Sequence, residues 1–126
     1  QGLSVGTRFL VAQETGISAA YKAALVEAIE TDTGVTPALT GRPARVLRNR
    51  LYQALISPAA ATLAWPLMGA ATNDLYAAAA QQGVADLHPL FAGQALRLLR
   101  RVQPAAEILG ELVAEAERAL RALPRP

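Results

Sequence analysis

The sequence predicts a mostly helical fold with a single short strand at its N-terminal end. Hydrophobic residues make up 52% of the 126 residues, which is typical of a globular chain, and the abundance of alanine favours helix. Apolar side chains recur at three- and four-residue steps in several stretches, as they do in amphipathic helices. A strand-like pattern that ends at a glycine is confined to the first residues. We therefore expect one strand followed by helices.

The N-terminal stretch from Leu3 to Val5 is predicted to be the end of a short strand that runs into Gly6. Glycine lets the backbone turn sharply and approach a ligand closely, because it has no Cβ. Thr7 adds a hydroxyl, and residues 8–12 can form a short helix. Strand, Gly-Thr and helix together present backbone N–H groups in a setting that favours a phosphate. An ordinary strand-to-helix turn is the alternative interpretation of this pattern taken alone.

The next predicted helix spans residues 19–30, with Ser18 as its N-cap. Tyr21 and Leu25 lie at helical spacing and are expected to face the core. Lys22 falls largely on the opposite side, so we expect its side chain to be solvated.

The middle of the chain is predicted to be extended at first and then helical. Residues 35–40 are expected to be extended, but Pro37 cannot occupy a central strand position because it has no N–H to donate. A turn at Gly41 leads to Pro43, which suits the first position of a helix over residues 43–56.

Two further helices are predicted after an alanine-rich segment that is interrupted at Trp65-Pro66-Leu67. The first begins at residue 73 or 74 and ends at residue 82, where Gly83 is a suitable C-terminal stop. The second covers residues 91–101, after a connector that contains the only histidine.

The most regular helix is predicted to begin after Pro104. Its apolar side chains repeat at three- and four-residue steps, and three glutamates line another face. The apolar residues are Ile108, Leu109, Leu112, Val113, Ala116 and Leu120, and the glutamates are Glu107, Glu111 and Glu115.

Composition excludes several classes of function. The net charge of +2 is too small to indicate a nucleic-acid-binding protein. The absence of cysteine excludes disulfides and thiolate metal sites. The longest nearly uncharged stretch, residues 51–73, is broken by two prolines, whereas a membrane span needs about 20 uninterrupted apolar residues. No secretory signal pattern is evident at the N-terminus, so the cytoplasm is the expected location.

Two groups of polar residues are candidates for chemistry. The arginines at 42, 45, 48 and 50 have no acidic residue among them and suit either a phosphate clamp or a solvated helix face. His88 has no second histidine and no carboxylate pair beside it, so it forms neither a catalytic triad nor a metal site. We therefore predict no catalytic residue and no metal ligand.

Four segments in a fixed order resemble one protein family. They are Ser4-Val5-Gly6-Thr7-Arg8-Phe9-Leu10, Ala20-Tyr21-Lys22-Ala23-Ala24-Leu25, the stretch from Thr40 to Asn49, and Leu90-Phe91-Ala92-Gly93-Gln94-Ala95. Together they span nearly the whole chain and resemble the nitronate monooxygenases, formerly called 2-nitropropane dioxygenases. The flavin-type enoyl-ACP reductases are close relatives that share the first and last of these segments.

The resemblance implies that the chain is the C-terminal part of an α/β FMN-binding TIM (β/α)8 barrel. Such a barrel typically needs about 250 residues, and this chain matches only the C-terminal portion of the family. Residues 1–34 would then be the last barrel strand, the phosphate loop and the following helix. Residues 35–126 would be a helical C-terminal extension that caps the barrel, and the whole would form a single domain fragment.

The resemblance also implies a cofactor site. The stretch from position 4 to position 7 matches the family segment that holds the FMN phosphate, although the family more often has glutamine at position 4. The Ala-Gly-Gln segment matches one near the flavin, while the family's catalytic histidine lies outside this chain. The implied cofactor-binding residues are Ser4, Val5, Gly6, Thr7, Gly93 and Gln94.

The complete enzyme implied by the resemblance oxidises alkyl nitronates with O₂, and this chain is expected to be inactive alone. One alternative is a portion of a flavin-type enoyl-ACP reductase. Another is a non-catalytic helical module or subunit that pairs with a separate barrel chain. Self-association or such a partner chain is expected to complete the barrel, and no nucleic acid or membrane is expected as a partner.

Overall fold

The computed structural model describes residues 4–123, which form helices around one small sheet. Three short 3-10 turns, at Glu30–Asp32, Ala85–Leu87 and Ala95–Leu98, join these elements. The helices and strands are α1 (Thr7–Leu10), α2 (Ala19–Glu27), β1 (Thr33–Thr36), β2 (Ala44–Leu47), α3 (Arg50–Leu55), α4 (Leu67–Gln81) and α5 (Ala105–Ala122).

Two predicted helices form with shifted ends. Helix α2 begins as expected, because the Ser18 hydroxyl accepts a hydrogen bond from the Tyr21 N–H at 3.2 Å. It ends at Glu27, three residues early, where the chain turns towards the sheet. Helix α4 begins at Leu67, well before residue 73, and stops before Gly83, whose φ of +66° ends the helix as predicted.

The sheet is an antiparallel pair in which Thr33 lies opposite Leu47 and Thr36 lies opposite Ala44. The prediction that residues 43–56 form one helix is therefore wrong for its first part. Strand β2 gains a hydrogen-bonding partner in β1, and this long-range pairing overrides the local preference for helix. The turn between the strands passes through Gly41, which has a φ of +83°.

Helix α3 begins only at Arg50, because Asn49 caps it. The Asn49 side-chain oxygen accepts a hydrogen bond from the Tyr52 N–H at 3.0 Å. Its amide nitrogen donates to the carbonyls of Ala85 at 2.9 Å and His88 at 2.8 Å. One side chain therefore sets the start of α3 and fixes the loop before Leu90.

The predicted helix over residues 91–101 is wrong, because no α-helix forms there. The Leu47 N–H donates to the Leu90 carbonyl at 2.9 Å, and the Ala92 N–H donates to the Arg45 carbonyl at 3.1 Å. These bonds hold the residues around Phe91 in an extended form along one edge of β2. The other edge of β2 pairs with β1. Only the 3-10 turn at Ala95–Leu98 follows.

The predicted N-terminal strand has no regular structure at Ser4 and Val5, and Leu3 lies outside the described residues. A barrel strand is formed by hydrogen bonds to neighbouring strands. No described residue of this chain pairs with Ser4 or Val5. These two residues therefore lack the partners that would make them a strand.

The buried side chains form two clusters that lie on either side of β2. Strand β2 contributes Leu47 to the larger cluster and Val46 to the smaller one. The larger cluster consists of Val11, Tyr21, Leu25, Leu47, Leu90, Ala92, Leu96 and Leu99, and the smaller of Leu39, Val46, Leu51 and Tyr52.

Helix α5 begins after Pro104 as predicted and is 18 residues long. Within it, Ile108 is fully buried and Leu112 is half-buried, while Leu109, Val113 and Leu120 are exposed. None of the helices between residues 4 and 123 is both long enough and apolar enough to cross a membrane.

Candidate functional site

Two of the predicted cofactor segments meet in the structure. The Gly93 N–H donates a hydrogen bond to the Thr7 hydroxyl oxygen at 2.8 Å, although the two residues are 86 positions apart. A Cβ at position 93 would lie 3.2 Å from the same oxygen, closer than ordinary contact. A glycine therefore suits this approach, and the contact brings the Gly-Thr and Ala-Gly-Gln segments together.

The backbone around Gly6 is open to solvent. Ser4, Val5 and Gly6 are exposed, and a Cβ built at Gly6 would meet no atom within 4 Å. No described residue accepts a hydrogen bond from the N–H of Val5, Gly6 or Thr7. Gln94 is exposed beside Gly93. The contact between Thr7 and Gly93 is therefore flanked by backbone and side-chain donors that are free to bind an anion.

The Gly93 side of this site is held by Tyr21 from helix α2. The Tyr21 hydroxyl donates to the Phe91 carbonyl at 2.7 Å, two residues before Gly93. The neighbouring backbone hydrogen bond from the Ala92 N–H to the Arg45 carbonyl extends this support into the sheet. The position of Gly93 thus depends on both α2 and β2.

The Thr7 side is held by Lys22, the only lysine of the chain. Its ammonium donates to the carbonyls of Ala12 at 2.7 Å and Gln13 at 3.1 Å, immediately after helix α1. The expectation that Lys22 is solvated is wrong, because these carbonyls draw the side chain inward and leave it 9% exposed. A lone lysine beside a core tyrosine, in a helix whose only other charged residue is Glu27 at its end, was the available signal. Tyr21 and Lys22, adjacent in sequence, therefore support the two halves of the site.

Arg8 anchors helix α1 to helix α5, a contact that the sequence did not predict. Its guanidinium donates to the Glu111 carboxylate at 2.7 Å, and the Arg8 side chain is 16% exposed. The sequence pattern placed Glu111 on a polar face of α5. The structure turns that face towards α1, and the ion pair ties the two helices together beside the site.

His88 packs against Tyr21 at one side of the site. The two rings meet edge to face with centroids 5.7 Å apart. Burial lowers the pKa of His88 below its usual 6.5 and raises the pKa of Tyr21, since each charged form is poorly solvated there. Both side chains are therefore neutral at pH 7. Within residues 4–123 there is no group of three or more metal-ligating side chains.

The four arginines do not form one cluster. Arg42 lies in the hairpin turn with its guanidinium 4.0 Å from the centre of the Trp65 ring. Arg45, on β2, donates to the Thr33 hydroxyl at 2.9 Å. Because residues 44–47 form a strand, the arginines at 42, 45, 48 and 50 do not share a helix face, which was one of the two alternatives considered for them.

Comparison with known proteins identifies relatives. A family model described as nitronate monooxygenase matches residues 1–115. The nitronate monooxygenase of Pseudomonas aeruginosa is 36% identical over 114 residues, which cover 90% of this chain and 32% of that protein.

Two solved structures have a similar fold. A nitroalkane oxidase from Streptomyces ansochromogenes matches with a TM-score of 0.83 and 38% identity, over 95% of this chain and 34% of that one. FabK from Thermotoga maritima matches with a TM-score of 0.71 and 25% identity, over 92% of this chain and 37% of that one. Both neighbours are TIM barrels, so the expected fold class, a helix-rich part of such a barrel, is confirmed. The chain spans between 29% and 37% of the length of the relatives it matches.

Proposed function

The chain belongs to the nitronate monooxygenase family, and from this membership we propose that it provides the C-terminal part of an FMN-dependent oxidoreductase. That enzyme would oxidise alkyl nitronates with O₂. The proposal treats residues 1–34 as the end of the barrel with its phosphate loop, and residues 35–126 as a cap. A barrel portion, in the same chain or in another, would complete the cofactor site.

The hydrogen bond between Gly93 and Thr7 is the observation that carries this proposal. Because the Thr7 oxygen accepts from the Gly93 N–H, the Thr7 hydroxyl hydrogen remains free to donate to a phosphate oxygen. The N–H groups of Val5, Gly6 and Thr7 have no acceptor among the described residues, so they suit the same phosphate. These residues therefore fit the phosphate end of FMN.

The other proposed contacts lie beside this point. Ser4 would contribute its backbone, since its side chain differs from the glutamine more common in the family. Gly93 leaves room for close approach, and the exposed Gln94 amide can both donate and accept hydrogen bonds. Tyr21 and Lys22 would act as positioning residues, because they contact the backbone on each side of the site and not the site itself.

This chain's part in the reaction would be binding and orientation. When bound, the flavin would supply the redox chemistry that transfers electrons from the carbon acid to O₂. Proton abstraction from the substrate is not assigned to His88, which packs against Tyr21 and does not match the family's catalytic histidine. The helical segments after residue 34 would cover the site and exclude water.

A flavin-type enoyl-ACP reductase is the second candidate, and the similarity to FabK favours considering it. The two functions differ in the substrates they consume. Oxidation of a nicotinamide cofactor with an enoyl thioester, without O₂ uptake on alkyl nitronates, would support the reductase. The higher identity to the nitroalkane oxidase favours the nitronate reaction.

A covalent chimera tests the proposed function. This chain would be fused to the two thirds of the Streptomyces ansochromogenes nitroalkane oxidase that it does not match. After addition of FMN and gel filtration, we expect the chimera to keep visible flavin absorption and to consume O₂ with alkyl nitronates. Thr7→Val should weaken FMN binding about tenfold, which corresponds to one lost hydrogen bond, while the exposed Thr31→Val should not.

Two results would contradict the proposed cofactor site. A folded chimera that passes through the column without flavin would refute the cofactor site. In that case the chain would be better described as a non-catalytic helical module. Equal FMN affinity of Thr7→Val and Thr31→Val would exclude Thr7 from the site.

A further inference from the structure

The guanidinium of Arg8 has one acceptor among the described residues, the carboxylate of Glu111. The Arg8 Nη2 atom donates to the Glu111 Oε2 atom at 2.7 Å. The other terminal nitrogen, Nη1, is buried and has no acceptor within residues 4–123. Because the Arg8 side chain is largely buried, water cannot readily replace the carboxylate. The orientation of Arg8 therefore depends on Glu111.

Arg8 directly follows the residue that would contact the flavin phosphate. Thr7 begins helix α1, and its hydroxyl meets the Gly93 N–H at 2.8 Å. Helix α1 has only four residues, none of which is fully buried, and no side chain caps its start at Gly6. A single helical turn is not stable by itself, because its first hydrogen bonds do not offset the cost of ordering the backbone. The start of α1 therefore needs contacts from outside the helix, and Arg8 supplies one next to Thr7.

Glu111 is itself fixed within a network of polar side chains. The Arg101 Nη2 atom lies 3.5 Å from the Glu111 Oε1 atom, and the Arg101 Nε atom donates to the Gln103 side-chain oxygen at 3.1 Å. The Gln103 side chain and the Arg8 guanidinium hold the pKa of the Glu111 carboxyl below its usual range. The carboxylate is therefore ionised at pH 7 and can hold a guanidinium in one orientation.

The far end of α1 is tied to the segment that leads into α5. The Gln103 N–H donates to the Val11 carbonyl at 3.3 Å, and the Gln13 N–H donates to the Gln103 carbonyl at 3.0 Å. These backbone bonds fix the residues that follow α1. The ion pair between Arg8 and Glu111 then sets the orientation of its start.

We propose that Glu111 is a positioning residue for the flavin phosphate, although 103 positions separate it from Arg8 in the sequence. By holding Arg8, it fixes the adjacent Thr7 hydroxyl for contact with the phosphate. It acts through geometry and not through its charge, because a carboxylate repels a phosphate. The inference rests on the proposed function, since it takes Thr7 to contact the phosphate of FMN.

Flavin titration of the chimera separates geometry from charge, since the two effects have opposite signs. Glu111→Gln removes the repulsive charge, but its neutral amide oxygen holds Arg8 less firmly. We expect this variant to weaken FMN binding about tenfold, measured by the change in flavin fluorescence.

Glu115→Gln is the matched control. Glu115 lies one turn further along the same side of α5 and has no ion pair within the part of the chain that the structure describes. Its substitution removes the same charge and releases no arginine, so FMN affinity should stay the same or rise slightly. An affinity of Glu111→Gln equal to that of Glu115→Gln would overturn the inference.

Riboflavin, which lacks the phosphate, shows whether the effect is confined to the phosphate end. The riboflavin affinity of Glu111→Gln should stay within about twofold of that of the unmodified chimera, the scatter usual for groups that do not interact. Equal losses of FMN and riboflavin affinity would mean that Glu111 supports the fold as a whole, and would overturn the positioning role.

A double-mutant cycle tests whether Glu111 acts through Arg8. Arg8→Met removes the guanidinium and keeps a long unbranched side chain. In the Arg8→Met background, Glu111→Gln should have no further effect on FMN affinity, because the partner is already absent. A further loss of about tenfold there would show that Glu111 acts by another route.

Hydrogen exchange in the free 126-residue chain gives a readout without flavin. The Gly93 amide donates to the Thr7 hydroxyl and therefore reports how firmly Thr7 is held. Glu111→Gln should raise its exchange rate at least about threefold, since α1 opens more often, whereas Glu115→Gln should not. An unchanged rate in Glu111→Gln would overturn the inference.

The failures of the two proposals differ. A folded chimera that binds no FMN would refute the cofactor site and, with it, the role of Glu111. FMN binding that is lost in Thr7→Val but equal in Glu111→Gln and Glu115→Gln would refute the role of Glu111 alone.

Discussion

Replacing Lys22 with methionine tests how the Thr7 side of the site is supported. Methionine keeps the length and the apolar stem of the side chain but removes the ammonium. The carbonyls of Ala12 and Gln13 then lose the donor that lies 2.7 Å and 3.1 Å away. Because Lys22 is 9% exposed, water cannot fully replace the ammonium.

The magnitude follows from the partners that remain. A hydrogen bond from a charged donor contributes about 1.5–3 kcal/mol. The Ala12 carbonyl keeps a hydrogen bond from the Thr15 hydroxyl at 2.9 Å, so its loss is partial. The methionine also avoids the cost of burying an ammonium. We expect Lys22→Met to lower the free energy of unfolding by about 2 kcal/mol.

Urea unfolding followed by circular dichroism measures this change. With a slope of about 2 kcal/mol per molar urea, the midpoint should fall by about 1 M. Arg50→Met is the matched control, because Arg50 is exposed at the start of α3, and it should shift stability by less than about 0.5 kcal/mol. Equal midpoints for the two variants would refute the proposed support.

The chemical reactivity of Lys22 gives an independent measurement. Since the chain has no other lysine, mass spectrometry of a peptide containing residue 22 reports the acetylation of one amine. The buried amine should react roughly 100-fold more slowly in the folded chain than in urea, because reaction requires local opening. Reaction at the unfolded rate would show that the ammonium is not held by the two carbonyls.

Three further predictions concern neighbouring parts of the structure. Thr7→Val should raise the hydrogen-exchange rate of the Gly93 amide about tenfold, since its acceptor is lost, whereas Thr7→Ser should preserve the slow rate. Burial lowers the pKa of His88 in the folded chain below 6.5. Above pH 6.5 His88 is neutral in both the folded and the unfolded chain, and stability is at its full value. As the pH falls towards the folded-state pKa, the unfolded chain binds the proton more readily and stability decreases. Urea midpoints at about pH 7.5 and about pH 5.5 should therefore differ less in His88→Gln than in the unmodified chain. Gly41→Ala should lower the free energy of unfolding by at least about 2 kcal/mol in the same assay, because a Cβ would strain a φ of +83° and meet the Trp65 backbone nitrogen; an unchanged midpoint would contradict this.

Local signals in the sequence located the elements that local interactions define. Ser18 capped α2, Gly83 ended α4 and Pro104 preceded α5, because each acts on backbone groups within a few residues. The family resemblance predicted that Thr7 and Gly93 belong to one site, and the structure brings the two residues into contact. Whether a cofactor is contacted stays a prediction for all six residues, Ser4, Val5, Gly6, Thr7, Gly93 and Gln94, as does the division of the chain at residue 34.

The positions that were predicted incorrectly depend on distant partners. Residues 44–47 have a helical pattern but form a strand, because β1 and the segment around Phe91 supply hydrogen bonds on both sides. Lys22 has the pattern of a surface residue but is buried, because two carbonyls from another segment accept hydrogen bonds from its ammonium. Sequence periodicity describes a helix by itself and contains no information on such partners.

The sequence alone determined the helix-rich composition, the N-cap of α2, the stop of α4, the start of α5, and the family to which the chain belongs. The tertiary structure decided that Thr7 and Gly93 meet at 2.8 Å and that Tyr21 and Lys22 support the two sides of their contact. It also decided that the apolar side chains of Leu109, Val113 and Leu120 on α5 are exposed. The physical reason is that caps and turns are set by neighbours in the chain. Burial and long-range hydrogen bonds depend instead on which surfaces the folded chain brings together.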